Sequence, residues 1–98
     1  REVCVVEYPR KGMFSIGFVT NQVPFEVGEK GRQLMNTVYL PTPPNPTTGI
    51  LVIVPVEEVY PLDMTIEDGL KMALSGGIVS PPLVRAKAVA ARRGDSVS

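Results

Sequence analysis

The sequence predicts an α+β domain: a curved antiparallel sheet or small open β-barrel of about four to six strands, with one short helix over about residues 65–75. Three observations point there. Apolar runs rich in β-branched and aromatic residues recur between clusters of Pro and Gly, the pattern of strands joined by turns. Ten prolines and nine glycines in 98 residues leave little room for long helices. A single segment combines helical periodicity with a start signal and a stop signal.

"EVCVVEY" (2–8) reads as a first strand and ends at Pro9. "PRKG" supplies turn chemistry, and "MFSIGFVT" (13–20) follows as a second strand with Phe14, Ile16 and Phe18 on one face. The short turn between them makes an antiparallel hairpin. "NQVPFEVGEKGRQ" (21–33), with a proline, two glycines and most of the local charge, is expected to be a longer exposed connection. "LMNTVYLP" (34–41) is a third strand, "ILVIVPV" (50–56) a fourth and "EVYPL" (58–62) a short fifth. Apolar residues on both faces of the fourth predict a central strand covered on both sides.

In "DMTIEDGLKMALSGG" (63–77), Thr65 stands as the helix cap with Asp68 three residues later, the capping-box spacing. Glu67 and Asp68 put negative charge at the positive end of the helix dipole. Ile66, Leu70, Ala73 and Leu74 make one apolar face, and Gly76 and Gly77 end it. Gly69 in its middle costs roughly 1 kcal/mol against alanine, so close packing or a short helix is expected there. Residues 1–82 are read as one soluble domain. Residues 83–98, with Arg85, Lys87, Arg92 and Arg93 and few large apolar groups, read as a flexible basic tail or, alternatively, a short basic amphipathic helix.

Composition narrows the function classes. Ten basic and ten acidic residues cancel, so no global field attracts nucleic acid, and no nucleic-acid partner is expected. The sequence has no histidine, which removes His-based triads, His metal sites and the usual near-neutral proton carrier. The single cysteine, Cys4, lies in an apolar strand and can form no internal disulfide. Nucleotide-binding glycine motifs, a nucleophile elbow and C-x-x-C are missing, so no catalytic residue and no cofactor are assigned. Glu57, Glu58, Asp63, Glu67 and Asp68 cluster in sequence without metal-loop spacing, and they read as capping and surface charge; no metal is expected. The longest apolar run, "GILVIVPV", is far short of the ~18 residues of a membrane span.

Two places are candidates for binding. Arg10 and Lys11 sit at a hairpin tip, where most such pairs are solvated turn charges and some meet phosphate or lipid headgroups. The loop "PTPPNPTTG" (41–49) is stiffened by prolines at 41, 43, 44 and 46, so it can present Asn45, Thr47 and Thr48 at low entropic cost. The structural alternative makes the same residues a turn. Pro44 and Pro46 then fix the backbone, the threonines cap it, and Gly49 supplies an unusual backbone angle before the next strand.

"VEYPRKGMFSIGFVT" (6–20), "PTPPNPTTG" (41–49) and "VPVEEVYPLDMTIEDGLKMALSGGIVSP" (54–81) together resemble the soluble part of the domain of unknown function 502 family, whose bacterial members are related to plant LIKE COV and CONTINUOUS VASCULAR RING proteins. The family loop commonly reads T-T-P-N-P-T-S-G, so Pro43 stands in place of a threonine and Thr48 in place of a serine. A charged residue is usual where Val56 stands. The resemblance implies a small integral membrane protein with two spans before this domain, a C-terminal soluble portion facing the cytoplasm at the bacterial inner membrane, and no established enzymatic activity. It leads to the expectation of a non-enzymatic interaction or scaffolding module, with an unknown protein partner or self-association. The alternative is a regulatory domain that binds a lipid headgroup or small anion through Arg10, Lys11, Asn45, Thr47 and Thr48. A polar pocket beside the loop would favour the alternative, and an exposed strand edge or flat apolar patch would favour association.

Overall fold

The computed structural model describes residues 2–87. Strands β1 (Val3–Glu7), β2 (Phe14–Glu26), β3 (Arg32–Pro41), β4 (Gly49–Pro55) and β5 (Tyr60–Pro61) form one antiparallel sheet in the order β4-β3-β2-β1-β5, followed by helix α1 (Ile66–Leu74). The first and last strands in that order are not paired with each other, so the sheet is open and not closed into a barrel.

The β1–β2 hairpin pairs Val3 with Phe18 at one end and Glu7 with Phe14 at the other. Its turn is closed by Tyr8 N–H to Met13 C=O at 2.9 Å and Met13 N–H to Arg10 C=O at 3.1 Å. Gly12 takes φ 88°, a left-handed value that a side chain disfavours, and its N–H donates to the Glu7 carboxylate at 3.0 Å.

Residues 21–33 are not a long connection. β2 continues through Asn21 to Glu26 and pairs with β3 from Gln22↔Asn36 to Glu26↔Arg32, so the loop shrinks to a tip around the 3-10 turn Gly28–Lys30. A bulge between Val19 and Asn21 bends this arm. Pro24, which argued against a strand, is tolerated because it stands at a position without a ladder bond to β3, while β1 pairs β2 no further than Phe18. Gly28 and Gly31 at the tip have φ of 56° and 75°, the turn chemistry that makes the reversal short.

The expectation of a central fourth strand is also corrected: β4 lies at the edge, bonded among the described residues to β3 alone. The core instead forms on one face of β1 and β3, where Cys4, Val6, Val38 and Leu40 are buried together with Val59. Val59 comes from the segment that crosses from β4 to β5, beyond the 3-10 turn Val56–Glu58. Val19, Val52 and Val54 are half-buried at the margin of this cluster. Gly17 is required inside it, since a Cβ there would meet Leu40 and Val38 side chains at 2.6 and 2.8 Å.

The Thr65 hydroxyl accepts from Asp68 N–H at 3.0 Å at the start of α1, and Gly76 and Gly77 with φ of 68° and 89° follow its end. Gly69 and Ala73 are its buried residues, whereas Ile66 is exposed. A Cβ on Gly69 would stand 2.7 Å from a Val3 methyl, so the glycine brings the helix down onto the Val3–Phe18 pair.

Residues 85–87, which the sequence reading assigns to the tail, lie along β5. Asp63 N–H donates to Arg85 C=O and Lys87 N–H to Pro61 C=O, both at 2.8 Å, and Leu62 bridges Ala86. Residues 88–98, the remainder of that tail, lie outside the described residues.

Candidate functional site

The proline-rich loop folds back on itself. Thr42 N–H donates to Thr48 C=O at 2.9 Å and the two threonine hydroxyls meet at 2.7 Å, which zips the base of the loop. Asn45 Oδ1 accepts from both Thr47 N–H at 2.9 Å and Thr47 Oγ1 at 2.8 Å, the self-contained turn that short polar side chains form. Thr48 Oγ1 also reaches Asn45 C=O at 3.2 Å. Tyr39 Oη donates to Pro46 C=O at 3.3 Å and braces the tip from β3. Asn45 Oδ1 and the hydroxyls of Thr47 and Thr48 are thus engaged within the loop.

Gly49 meets a steric need and not a conformational one. Its φ is not positive, but a Cβ there would come within 2.5 Å of Leu40 C=O and 2.6 Å of the Tyr39 ring. Tyr39 lies over the glycine and fills the place of its missing side chain.

Arg10 and Lys11 are exposed at the β1–β2 tip, with Arg10 Nη1 donating to Lys11 C=O at 3.3 Å. The cleft nearest both candidate regions, about 290 Å³, is lined by Tyr8, Ile16, Leu40, Pro43, Met72 and Ala73 among others. It is largely apolar. Arg10, Lys11, Asn45, Thr47 and Thr48 do not line it, so this cleft does not gather the five candidate contacts.

A second cleft, about 370 Å³, opens where the β2 bulge meets the β4–β5 crossover, and it is lined by Glu2, Thr20, Asn21, Gln22 and Asn36 among others. Asn36 is a buried polar residue, and its Oδ1 accepts from Gln22 Nε2 at 3.3 Å. Burial first, and then the Glu2 carboxylate, push the Cys4 thiol up from its ordinary 9.0 to about 12, so it is protonated and unreactive at neutral pH. No group of three or more potential metal ligands occurs among the described residues.

The largest departure from the sequence reading is β4 itself. Ile50, Leu51 and Ile53 are 42, 59 and 42% exposed, and the strand carries no charged residue. The Thr42–Thr48 bond sets the alternation along the β3–β4 ladder. Ile50, Val52 and Val54 bond to β3, while Gly49, Leu51 and Ile53 turn both N–H and C=O outward. Pro55 is next in the outward series and has no N–H to offer. That proline was the missed signal, because proline in a strand marks an edge. At the other side of the sheet, residues 85–87 cover β5.

Fold and surface together define an open antiparallel α+β domain with one edge covered by its own chain and an uncharged apolar edge left bare among the described residues. Its relation to the domain of unknown function 502 family holds: the model of that family, described as Protein of unknown function (DUF502), matches residues 1–48. Protein LIKE COV 2 of Arabidopsis thaliana is 27% identical over 84 residues, which are 86% of this chain and 31% of that protein. Protein CONTINUOUS VASCULAR RING 1 of the same plant is 26% identical over 84 residues, again 86% of this chain and 31% of that protein. The chain therefore spans about a third of the length of these relatives. No solved structure matches it. No helix among the described residues is long and apolar enough to cross a membrane.

Proposed function

We propose that this chain is a non-enzymatic interaction or scaffolding module of a membrane-tethered protein, and that it makes its contact through the β4 edge. The observation that carries the reading is the edge itself: seven uncharged residues, of which Gly49, Leu51 and Ile53 turn N–H and C=O outward, with the Ile50, Leu51 and Ile53 side chains exposed. Natural sheets blunt such edges with charges or a cover because they template pairing with another chain. Among the described residues, the cover is given to β5 and none to β4. The tether rests on the family resemblance and on the roughly two thirds of the relatives' length that lies outside this chain.

The headgroup or anion reading has less support. Asn45 Oδ1 and the Thr47 and Thr48 hydroxyls hydrogen-bond within the loop, and the apolar cleft beside the loop is lined by none of the five candidate residues. The test is a photo-crosslinking residue placed at Leu51 of the full-length protein in its native membrane, with Glu29 at the β2–β3 tip as the comparison. Discrete protein crosslinks from position 51 and few from position 29 are expected. Equal yields at the two positions would refute the edge as the contact.

A further inference from the structure

Resting on the edge reading above, we infer that the occupant of the β4 edge is β4 of a second copy of this chain, paired antiparallel across a twofold axis at Val52. The ladder dictates the match. Outward-facing Leu51 and Ile53 of one copy stand opposite Ile53 and Leu51 of the other, each pair exchanging two backbone bonds. Gly49 donates to the Pro55 carbonyl at each end, and the missing Pro55 N–H falls at the margin, where water can satisfy the carbonyl left over.

Side chains agree with this register. Leu51 against Ile53 and Val52 against Val52 are apolar pairs of the kind that stabilise antiparallel sheets. A charged partner strand would have no counter-charge on β4, whereas a second β4 needs none. Two whole copies do not repel either, because the formal net charge is zero. The joined sheets would make one continuous sheet whose two remaining edges are both β5 edges, each covered by its own residues 85–87.

Two edges about 24 Å long and about 10 Å deep bury on the order of 500 Å² in total, which places the dimer in the weak, reversible class. It is therefore expected to depend on concentration. Sedimentation velocity of the 98-residue chain over a wide concentration range is expected to show monomer passing to dimer. Amide exchange at Gly49, Leu51 and Ile53 should slow in parallel, while Ile50, Val52 and Val54 stay protected throughout.

The paired substitution Leu51→Lys with Ile53→Lys should weaken dimerisation at least tenfold with unchanged thermal unfolding, because both side chains are exposed. Leu51→Pro should do the same, since it removes one outward N–H without touching a bond to β3. A dimer weakened by the lysines and unaffected by the proline would overturn strand pairing in favour of side chains packed face to face. A chain that stays monomeric at the highest concentration, with fast exchange at Leu51 and Ile53, would overturn self-pairing. In that case the edge reading falls only if the crosslinks from position 51 are lost as well.

Discussion

Removing the polar groups of the proline-rich loop separates its structural role from recognition. In the triple variant Asn45→Ala, Thr47→Ala, Thr48→Ala, the loop loses the two bonds accepted by Asn45 Oδ1, the Thr42–Thr48 hydroxyl contact at 2.7 Å and the Thr48 bond to Asn45 C=O. All these groups are exposed, so water replaces their partners and each loss sits at the low end of about 0.5–1.5 kcal/mol. The backbone bond from Thr42 to Thr48 survives. A total of about 2 kcal/mol follows, equivalent to a Tm fall of about 8–16 °C in a domain this small. Asn45→Asp keeps the acceptor and should lose much less. Gly49→Ala should lose more than the triple variant, because its Cβ meets the Leu40 carbonyl and the Tyr39 ring. Urea unfolding gives the stabilities, and crosslinking from position 51 in the same variants gives association. A triple variant with unchanged stability and abolished association would refute the structural account and make the loop a recognition element.

Two further outcomes test other parts of the fold. A chain ending at Pro82 should lose about 2 kcal/mol, since it gives up the two 2.8 Å bonds from residues 85–87 to β5 and the cover over buried Leu62, whereas a chain ending at Lys87 should unfold with the full chain. Coincident thermal unfolding of the Pro82 and full-length chains would show that this contact contributes nothing. The raised Cys4 pKa means that its contribution to stability is fully present below pH 9 and falls as pH rises towards about 12, because the unfolded thiol ionises first. Wild type should therefore lose about 1.4 kcal/mol per pH unit in that window relative to Cys4→Ala, measured by urea unfolding at each pH. Parallel pH profiles would mean that Cys4 is not buried as described.

What the sequence determined by itself was local. β-branched runs marked the strands, "PRKG" closed the first hairpin, and Thr65 with Gly76 and Gly77 bounded the helix, because caps and tight turns are made by residues near one another in the chain. The helix glycine announced a close approach, though not that Val3 was its neighbour. Strand order was decided only by tertiary structure. "ILVIVPV" has the apolar density of a buried strand, yet the β4–β5 crossover carries Val59 over the sheet to seal Cys4, Val6, Val38 and Leu40 and leaves β4 at the edge. Hydrophobicity records what a segment can bury, and it cannot say whether the partner that buries it belongs to the same chain. The loop shows the same division: its stiffness is written in four prolines, but whether Asn45, Thr47 and Thr48 face outward or bond to one another depends on Tyr39 and Thr42 holding its two ends.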